Sequence, residues 1–373
     1  MNQPLKGVKV VDLSTLLPGP LCTLLLAEAG ADVVKVERPA GGDEMRSYVP
    51  KAGTDSVNFG MLNRGKRSVA LDLKSVAGRE AVLALIDDAD VLVEQFRPGV
   101  MARLGLGYEQ VAERNPRVIY CSITGYGQSG PKAGVAAHDL NYLAETGMLA
   151  LSCDPDGAPV LPPALIADIG GGAYPAVINI LLALKQRDAT GKGCRLDISM
   201  ADNLFTFMYW ALGNGTTGNG WPTPGGELVT GGTARYQIYK TLDAQYLAAA
   251  PLEEKFWRNF TEVIGAPELA TKNGDEPGVK QRVAQLIAGQ TADTWLERFA
   301  GTDTCTVRVV SLEHAVTDPH FAGRRLFDRK VRMPGGQVID ALPVPIVEAF
   351  RGDASSSDAP ALRASVGSAG RDE

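Results

Sequence analysis

The chain has 373 residues, of which 45% are hydrophobic and 21% charged, an ordinary globular composition long enough for about two domains. Its formal net charge of −6 disfavours nucleic-acid binding, and no apolar run approaches the roughly 20 residues of a membrane span. We therefore expect neither a nucleic-acid partner nor a membrane. Five scattered cysteines without a CxxC pair favour a reducing, cytoplasmic setting, and three histidines without a Cys/His cluster predict no metal site.

The N-terminal third of the chain alternates between strand and helix patterns. Near-continuous Val, Ile and Leu content predicts buried strands at 7–13, 32–38, 67–73, 90–96 and 118–125. Between them, Pro18 and Pro20 open an apolar helix that Gly30 closes, and Ser75 caps a helix that runs to about residue 89. This order predicts an α/β fold with a largely parallel sheet.

Beyond residue 130 the pattern becomes less regular. It predicts helices over 139–150, 171–187 and 201–212, a strand over 194–200, a hairpin at 235–250, further helices near 253–264, 279–290 and 292–300, and a strand at 305–310. We interpret the chain as a large domain (1–212), a Gly-, Thr- and Pro-rich linker (213–232), a smaller α/β domain (233–320), a return to the large domain (321–350) and a disordered tail (351–373).

Two nucleotide-binding motifs are incomplete. Residues 125–130 (GYGQSG) match GxGxxG after a strand, but Pro131 and Gly134 follow in place of a helix. Residues 60–67 (GMLNRGKR) approach a phosphate loop, but Arg67 occupies the position of the magnesium-binding hydroxyl. A GxSxG hydrolase motif is absent from the sequence. These departures disfavour a dinucleotide-dependent enzyme and a serine hydrolase.

One histidine and one aspartate stand at the starts of predicted helices. His138 precedes the first of these helices, and Asp168 precedes the second and is followed by three glycines at 170–172. Backbone N–H groups at such a helix start can approach a ligand closely, and a carboxylate beside them suits chemistry through an enolate. The alternatives are that His138 merely caps a helix, Asp168 is only an N-cap, and the glycines serve packing. Spacing alone does not name a reaction.

Four stretches of the sequence resemble the family III CoA-transferases, the CaiB/BaiF superfamily. They are GVKVVDLSTLLPGPLCTLLLAEAGADVVKVERPAGGDEMR, NRGKRSVALDLKS, ADVLVEQFRPGVMARLGLGYEQV and NPRVIYCSITGYGQSGP, and the resemblance spans roughly residues 5–350. It implies a Rossmann-like large domain that binds coenzyme A, a smaller α/β domain, and two chains interlocked as a homodimer.

The superfamily contains two chemistries. In its transferases, the aspartate matching Asp168 is a nucleophile that carries acyl and CoA intermediates. In its α-methylacyl-CoA racemases, the members that this sequence resembles most, His138 and Asp168 match the two bases. The motif AHDLNY is intact, although Ala137 and Ala167 stand where glycine is common. A third racemase residue, a glutamate that supports the histidine, matches Glu253 in YLAAAPLEEKF, with Glu254 as its local rival.

The resemblance also implies a set of CoA-binding residues: Arg38, Leu71, Asp72, Leu73, Lys74, Gln95, Phe96, Arg97, Arg103, Ala137, Asp139, Asn141 and Tyr142. Arginine forks suit phosphate oxygens, whereas the alternative is a solvated basic surface. Phe205, Phe207, Met208 and Trp210 are either an acyl pocket or part of a buried helix.

Three functions follow from these observations. The first is a racemase or epimerase of 2-methyl-branched or 2-aryl acyl-CoA thioesters that needs no cofactor beyond the CoA moiety of its substrate. Its two bases would alternate proton removal and return, because the neutral and cationic forms of histidine are both accessible near neutral pH. The second is a CoA-transferase that moves CoA between carboxylic acids with Asp168 as nucleophile. The third is an acyl-CoA-binding protein without catalysis.

Overall fold

The computed structural model describes residues 3–154, 156–218, 220–272, 274–276 and 278–363. The described residues form two compact units: 3–146, 163–207 and 319–363 belong to the first, and those within 147–162 and 208–318 belong to the second. The predicted linker, 213–232, groups with the second unit, and 321–350 groups with the first. The boundaries of independently folding domains stay a prediction.

A six-stranded parallel sheet lies at the centre of the first unit. Its strands are β1 (Lys9–Leu13), β2 (Asp32–Glu37), β3 (Arg67–Ala70), β4 (Val91–Glu94), β5 (Ile119–Thr124) and β6 (Cys194–Ser199). They lie in the order β3-β2-β1-β4-β5-β6. Val11 on β1 pairs with Val34 on one side and Leu92 on the other, and all three side chains are buried. The predicted α/β fold with a parallel sheet is confirmed, since strands buried on both faces require such continuous apolar runs.

The helices of the first unit include two that begin at signals predicted from the sequence, at Pro18 and after the Ser75 cap. The helix bounds in this unit are Pro18–Glu28, Val57–Asn63, Val76–Asp87, Val100–Arg103, Tyr108–Arg114, Asp139–Glu145, Tyr174–Thr190, Met200–Leu204 and Pro319–Gly323. Ser75 Oγ accepts the Gly78 N–H at 2.9 Å, as predicted for a cap. The helix predicted over 139–150 ends at Glu145 instead, because Gly147 adopts a positive φ of 86° that a helix cannot continue through.

The second unit contains a three-stranded antiparallel sheet, Thr306–Arg308, Tyr246–Ala249 and Gln237–Lys240, which includes the predicted hairpin. Its helices are Tyr209–Thr216, Glu254–Val263, Val279–Ile287, Ala292–Phe299 and Leu312–Val316. Their core stacks Trp257 on Phe260 and Trp295 on Phe299, and both indole N–H groups donate to backbone carbonyls. The single helix predicted over 201–212 is wrong, since a 3-10 turn at Phe205–Met208 separates two helices there.

Residues 351–363 include a strand and an ion pair, so the prediction of a disordered tail over 351–373 is wrong for this part. Ser356–Asp358 pairs in parallel with Lys330–Arg332, which also pairs with Val338–Asp340. The Arg351 guanidinium lies 2.6 Å from the Glu28 carboxylate. Composition could not indicate these long-range contacts, which order a polar segment by strand pairing and a shielded ion pair. Residues 364–373 of the predicted tail lie outside the described residues.

One helical segment, Ala167–Thr190, is long and apolar enough to cross a membrane by length and composition, with a mean hydropathy of 1.4. The sequence contains no uninterrupted apolar run of this length, because Asp168, the glycines at 170–172 and Asn179 interrupt the segment. Ala173, Ala176, Ile180 and Ala183 are buried within the first unit. Core helices of globular proteins pass the same test, so the segment alone is weak evidence for a membrane span.

Candidate active site

The direction in which successive strands are added reverses between β1 and β4. From β1 the chain continues to β2 on one side of the sheet, and from β4 it continues to β5 on the other side. Ligands of open parallel sheets bind outside the carboxyl ends of strands at such a point. The loops that follow β1 and β4 meet here, since the Gly19 N–H donates to Gln95 Oε1 at 3.1 Å. A Cβ on Gly19 would lie 2.1 Å from the Ser14 Cβ, so only glycine permits this approach.

His138 and Asp168 line one cavity at this edge of the sheet. The cavity has a volume of about 360 Å³, and its wall comprises Leu16, Pro18, Gln95, Phe96, Arg97, Pro98, Ile123, Thr124, Gly125, Ala133, Val135, Ala136, Ala137, His138, Asn141, Tyr142, Asp168 and Met200. The fold therefore brings together an imidazole and a carboxylate that are 30 residues apart in the sequence.

The backbone beside His138 is held by two residues of the helix that follows it. The His138 N–H donates to Asn141 Oδ1 at 2.9 Å, and the Tyr142 hydroxyl donates to the Ala137 carbonyl at 3.0 Å. Tyr142 is 4% exposed and packs edge-on against Tyr126. His138 is thus the residue at which the helix begins, while its ring remains exposed at the cavity.

Asp168 lies inside a helical turn and is not its N-cap. The turn, Ala167–Ala173, has π-helical hydrogen bonding and continues into Tyr174–Thr190, with Ile166 at the N-cap position. The interpretation of Asp168 as a simple cap is therefore wrong. Burial and, to a smaller degree, the nearby Asp139 carboxylate raise the pKa of Asp168 to about 7. A carboxyl group with this pKa can both donate and accept a proton near neutral pH.

The glycines after Asp168 are explained by packing. A Cβ on Gly170 would lie 2.5 Å from the Phe207 ring, and one on Gly171 would lie 2.3 Å from the Met200 carbonyl oxygen. A Cβ on Gly172 would lie 3.0 Å from the Met200 Cγ and 3.1 Å from the Pro18 Cβ, a less severe but still tight approach. These contacts favour the packing alternative for the glycine run over an exposed set of N–H donors.

A second cavity, of about 430 Å³, is lined by six of the residues predicted to bind CoA. Its lining includes Arg38, Leu71, Asp72, Leu73, Lys74 and Phe96, together with Leu13, Thr15, Val36, Glu37, Pro39, Gly42, Asp43, Glu44, Val100 and Leu104. Phe96 lines both cavities, so they adjoin at that ring. Gln95, Arg97, Ala137, Asn141 and Tyr142 line the cavity that holds His138.

Two residues of the predicted CoA-binding set line neither cavity. Arg103 is an exposed residue at the end of the helix Val100–Arg103. Asp139 is 5% exposed, and its Oδ1 accepts the backbone N–H of Asp168 at 2.9 Å. Asp139 therefore contacts the other candidate base rather than lining either space.

Glu253 lies in the second unit, at the N-cap position of the helix Glu254–Val263. Its rival Glu254 is engaged by Arg235, whose guanidinium lies 2.7 Å from the Glu254 carboxylate. Glu254 thus has a partner of its own, which leaves Glu253 as the better candidate for the supporting role.

Sequence reasoning missed Leu16. It lines the cavity of His138 and adopts a φ of 61°, a region that residues with side chains rarely occupy. Its N–H donates to Asp43 Oδ1 at 3.2 Å. The available signal was its position: the stretch 14–18 directly follows β1, at the edge where parallel sheets bind ligands.

Comparison with known proteins identifies the family. The model of CoA-transferase family III matches residues 5–364. This chain belongs to CoA-transferase family III. A mouse (Mus musculus) α-methylacyl-CoA racemase is 36% identical to this family III chain over 351 residues, 92% of this chain and 86% of the relative. The acetyl-CoA:oxalate CoA-transferase of Acetobacter aceti is 33% identical, over 90% of this chain and 88% of the relative.

Solved structures agree with this membership. A CaiB/BaiF family protein from Brucella suis superimposes with a TM-score of 0.82 at 30% identity, covering 97% of both chains. This family III protein is therefore an enzyme of the CoA-transferase and racemase type. Within the described part of the chain, no group of three or more His, Cys, Asp or Glu side chains is arranged to hold a metal ion.

Proposed function

We propose that the protein is a racemase or epimerase of 2-methyl-branched or 2-aryl acyl-CoA thioesters. The observation that carries the proposal is that His138 and Asp168 line one cavity, with the pKa of Asp168 raised to about 7 mainly by its burial. The similarity to the mouse α-methylacyl-CoA racemase supports it.

The reaction inverts the carbon next to the thioester carbonyl. One base removes the α-proton, which leaves an enolate, and the other base returns a proton to the opposite face. A histidine shuttles between neutral and cationic forms and an aspartate between anionic and neutral forms, so each can act as acid or base. A carboxyl group with a pKa of about 7 is a stronger base than an ordinary aspartate, which favours removal of a weakly acidic proton.

The two adjoining cavities suggest how the substrate is held. We assign the CoA moiety to the cavity of Arg38, Leu71 to Lys74 and Phe96, and the thioester to the cavity of His138 and Asp168. Arg97 lines the cavity of His138 and directly follows Phe96, at which the two cavities adjoin, and we assign to it a charge that pairs with the CoA phosphates. Glu253 is assigned the support of the histidine cation, as an orienting carboxylate does in a catalytic triad. The reaction so described requires no cofactor beyond the CoA of the substrate.

A single experiment tests the proposal. The protein is incubated with one enantiomer of a 2-methylacyl-CoA in heavy water, without a free acid. Deuterium at the α-carbon together with loss of optical purity is expected. Retention of both the proton and the configuration under these conditions would contradict the racemase.

The second candidate function is CoA transfer between carboxylic acids. It is favoured by the 33% identity to the Acetobacter transferase and by the single carboxylate, Asp168, that both chemistries use in the family. Adding succinate to the same assay separates the two. Movement of CoA only when the acid is present, with an Asp168 thioester trapped by hydroxylamine, would identify a transferase. Binding without either reaction would identify a non-catalytic acyl-CoA-binding protein.

We further propose a homodimer in the cytoplasm. Ile178, Leu181 and Leu182 of the helix Tyr174–Thr190 are 57%, 44% and 63% exposed, an apolar face that a second chain would cover. All five cysteines are unpaired, which fits a reducing compartment. Light scattering should give twice the mass of one chain, and a monomeric mass would contradict the dimer.

A further inference from the structure

A buried carboxylate directly follows the candidate histidine. Asp139 is the first residue of the helix Asp139–Glu145, and its side chain is turned to the other candidate base. Its Oδ1 accepts the backbone N–H of Asp168 at 2.9 Å, and the N–H groups of Ala167 and Ile166 also donate to its carboxylate. The side chain thus spans 29 residues of sequence to reach the start of the helical segment that carries Asp168.

The helical turn that holds Asp168 lacks a cap of its own. The first N–H groups of a helix have no partner within the helix, and a side-chain oxygen at the N-cap normally accepts from them. Here the N-cap is Ile166, which has no polar side-chain atom and makes no capping hydrogen bond. Asp139 supplies the missing acceptor from a different part of the chain, and its negative charge suits a helix start.

We propose, on the basis of the function proposed above, that Asp139 is a positioning residue that holds the backbone of Asp168 next to that of His138. Its backbone is bonded directly to His138, and its carboxylate is hydrogen-bonded to the backbone of Asp168. One residue therefore ties together the backbone positions of the two bases. A two-base reaction depends on those positions because each base must reach the same carbon from its own face.

The same carboxylate acts on Asp168 through its charge. Burial contributes most to the raised pKa of Asp168, and repulsion from Asp139 adds to it. The other titratable groups at this cavity are His138, Arg97 and the Tyr142 phenol. Replacing Asp139 with a neutral residue therefore lowers the pKa of Asp168 while the burial remains.

Two substitutions separate the two effects. Asp139→Asn keeps a carbonyl oxygen that can accept the Asp168 N–H but removes the charge, whereas Asp139→Ala removes both. For Asp139→Asn we expect folding and KM close to wild type, with one limb of the pH–rate profile moved by about one pH unit to lower pH. In the direction of reaction in which Asp168 removes the proton, its pKa sets the acid limb, and that limb should move. In the direction in which Asp168 returns the proton, its pKa sets the alkaline limb, and that limb should move instead. For Asp139→Ala we expect kcat to fall by about 10- to 100-fold, as misplacement of a catalytic group predicts.

A matched control exists in the second unit. Asp243 Oδ1 accepts the backbone N–H of Ala292 at 3.1 Å, so it also caps a helix from a distant segment. Asp243→Asn should leave the pH–rate profile unchanged. The positioning role is overturned if Asp139→Ala retains wild-type kcat, and the effect of the Asp139 charge on Asp168 is overturned if Asp139→Asn leaves both limbs where the wild type has them.

This outcome can be read apart from the proposed function. If the wild type transfers CoA to succinate and does not racemise, the racemase proposal fails. The pH profile of the transferase still reports Asp168, now as nucleophile, so a shift of its acid limb in Asp139→Asn would still support the charge effect. A fall of the transferase kcat in Asp139→Ala beyond that in Asp139→Asn would still support the positioning role.

Discussion

The ammonium group of Lys35 lies 2.9 Å from the Asp43 carboxylate, and both side chains are fully buried. Lys35 Nζ also donates to the Ser14 carbonyl at 2.7 Å, and Asp43 Oδ1 accepts from Leu16. The ion pair therefore holds the loop after β1 at Ser14 and at Leu16. Leu16 forms part of the cavity wall. Leu16, at a φ of 61°, needs such support because its backbone conformation is unfavourable by itself.

We expect Asp43→Ala to lower the free energy of unfolding by about 3–5 kcal/mol, because it leaves the buried Lys35 ammonium without the carboxylate that it pairs with. The double variant Lys35→Met with Asp43→Leu should lose less than Asp43→Ala alone, since it removes both charges of this pair together. Urea unfolding of the wild type, the single variants and the double variant measures this. A larger loss in the double variant would contradict the role given to the pair.

The pKa of Asp168 predicts how stability changes with pH. Its folded-state value of about 7 lies above the ordinary aspartate value of 3.8, so the folded protein retains this proton over a range in which the unfolded chain has lost it. The ionised carboxylate therefore destabilises the folded state increasingly as pH rises from about 4 to about 7. We expect Asp168→Asn to lose racemisation yet to be more stable than wild type at pH 8, by up to about 4 kcal/mol.

The comparison is made by urea unfolding of both proteins at pH 4.5 and pH 8. The gain in stability of Asp168→Asn should be small at the lower pH and large at the higher one. A gain of the same size at both values would show that the carboxylate has an ordinary pKa in the folded protein.

Arg97 provides a test of the assignment of the CoA site. It lines the cavity of His138 and directly follows Phe96, which lines both cavities. A charge-assisted hydrogen bond to phosphate contributes about 1.5–3 kcal/mol, so Arg97→Ala should weaken CoA binding by about 10- to 100-fold in calorimetry. Arg67→Ala is the control, because Arg67 pairs with Asp32 at the opposite ends of their strands from the cavities. Equal loss in both variants would refute a specific role for Arg97.

The neighbouring residues Glu253 and Glu254 differ in their ion-pair partners and in the roles that we expect of them. Glu254 is paired with Arg235, whereas Glu253 matches the glutamate that supports the histidine in the racemase pattern. On the role proposed for Glu253, we expect Glu253→Gln to lower kcat by at least about tenfold, because the histidine cation would lose its proposed supporting carboxylate, and Glu254→Gln to leave kcat within about twofold. Racemisation assays at saturating substrate measure both. The reverse order would transfer the supporting role to Glu254.

The sequence predicted those features that depend on local pattern. All six strands of the large sheet were expected within a few residues, because the four central strands are buried on both faces and mostly apolar. The pairing of His138 with Asp168 came from a resemblance, not from periodicity. The contact from Asp139 to the Asp168 backbone and the ion pair between Lys35 and Asp43 join distant segments. No local rule indicates which segments the fold will bring together, and the same limit explains why the pairing of Ser356–Asp358 was missed.

The strongest prediction concerns the stereochemistry left when one base is removed. His138→Ala should reduce racemisation by about 10²- to 10⁴-fold, since proton transfer on one face of the carbon is lost. Asp168 would still reach the other face. In heavy water, one enantiomer of the substrate should therefore exchange its α-proton with retention of configuration, and the other should not exchange. Asp168→Asn should show the opposite preference. His314→Ala, in the exposed part of the helix Leu312–Val316, is the control and should behave as wild type. Exchange of both enantiomers at equal rates in His138→Ala would mean that a different group acts on that face, and the two-base assignment would have to be abandoned.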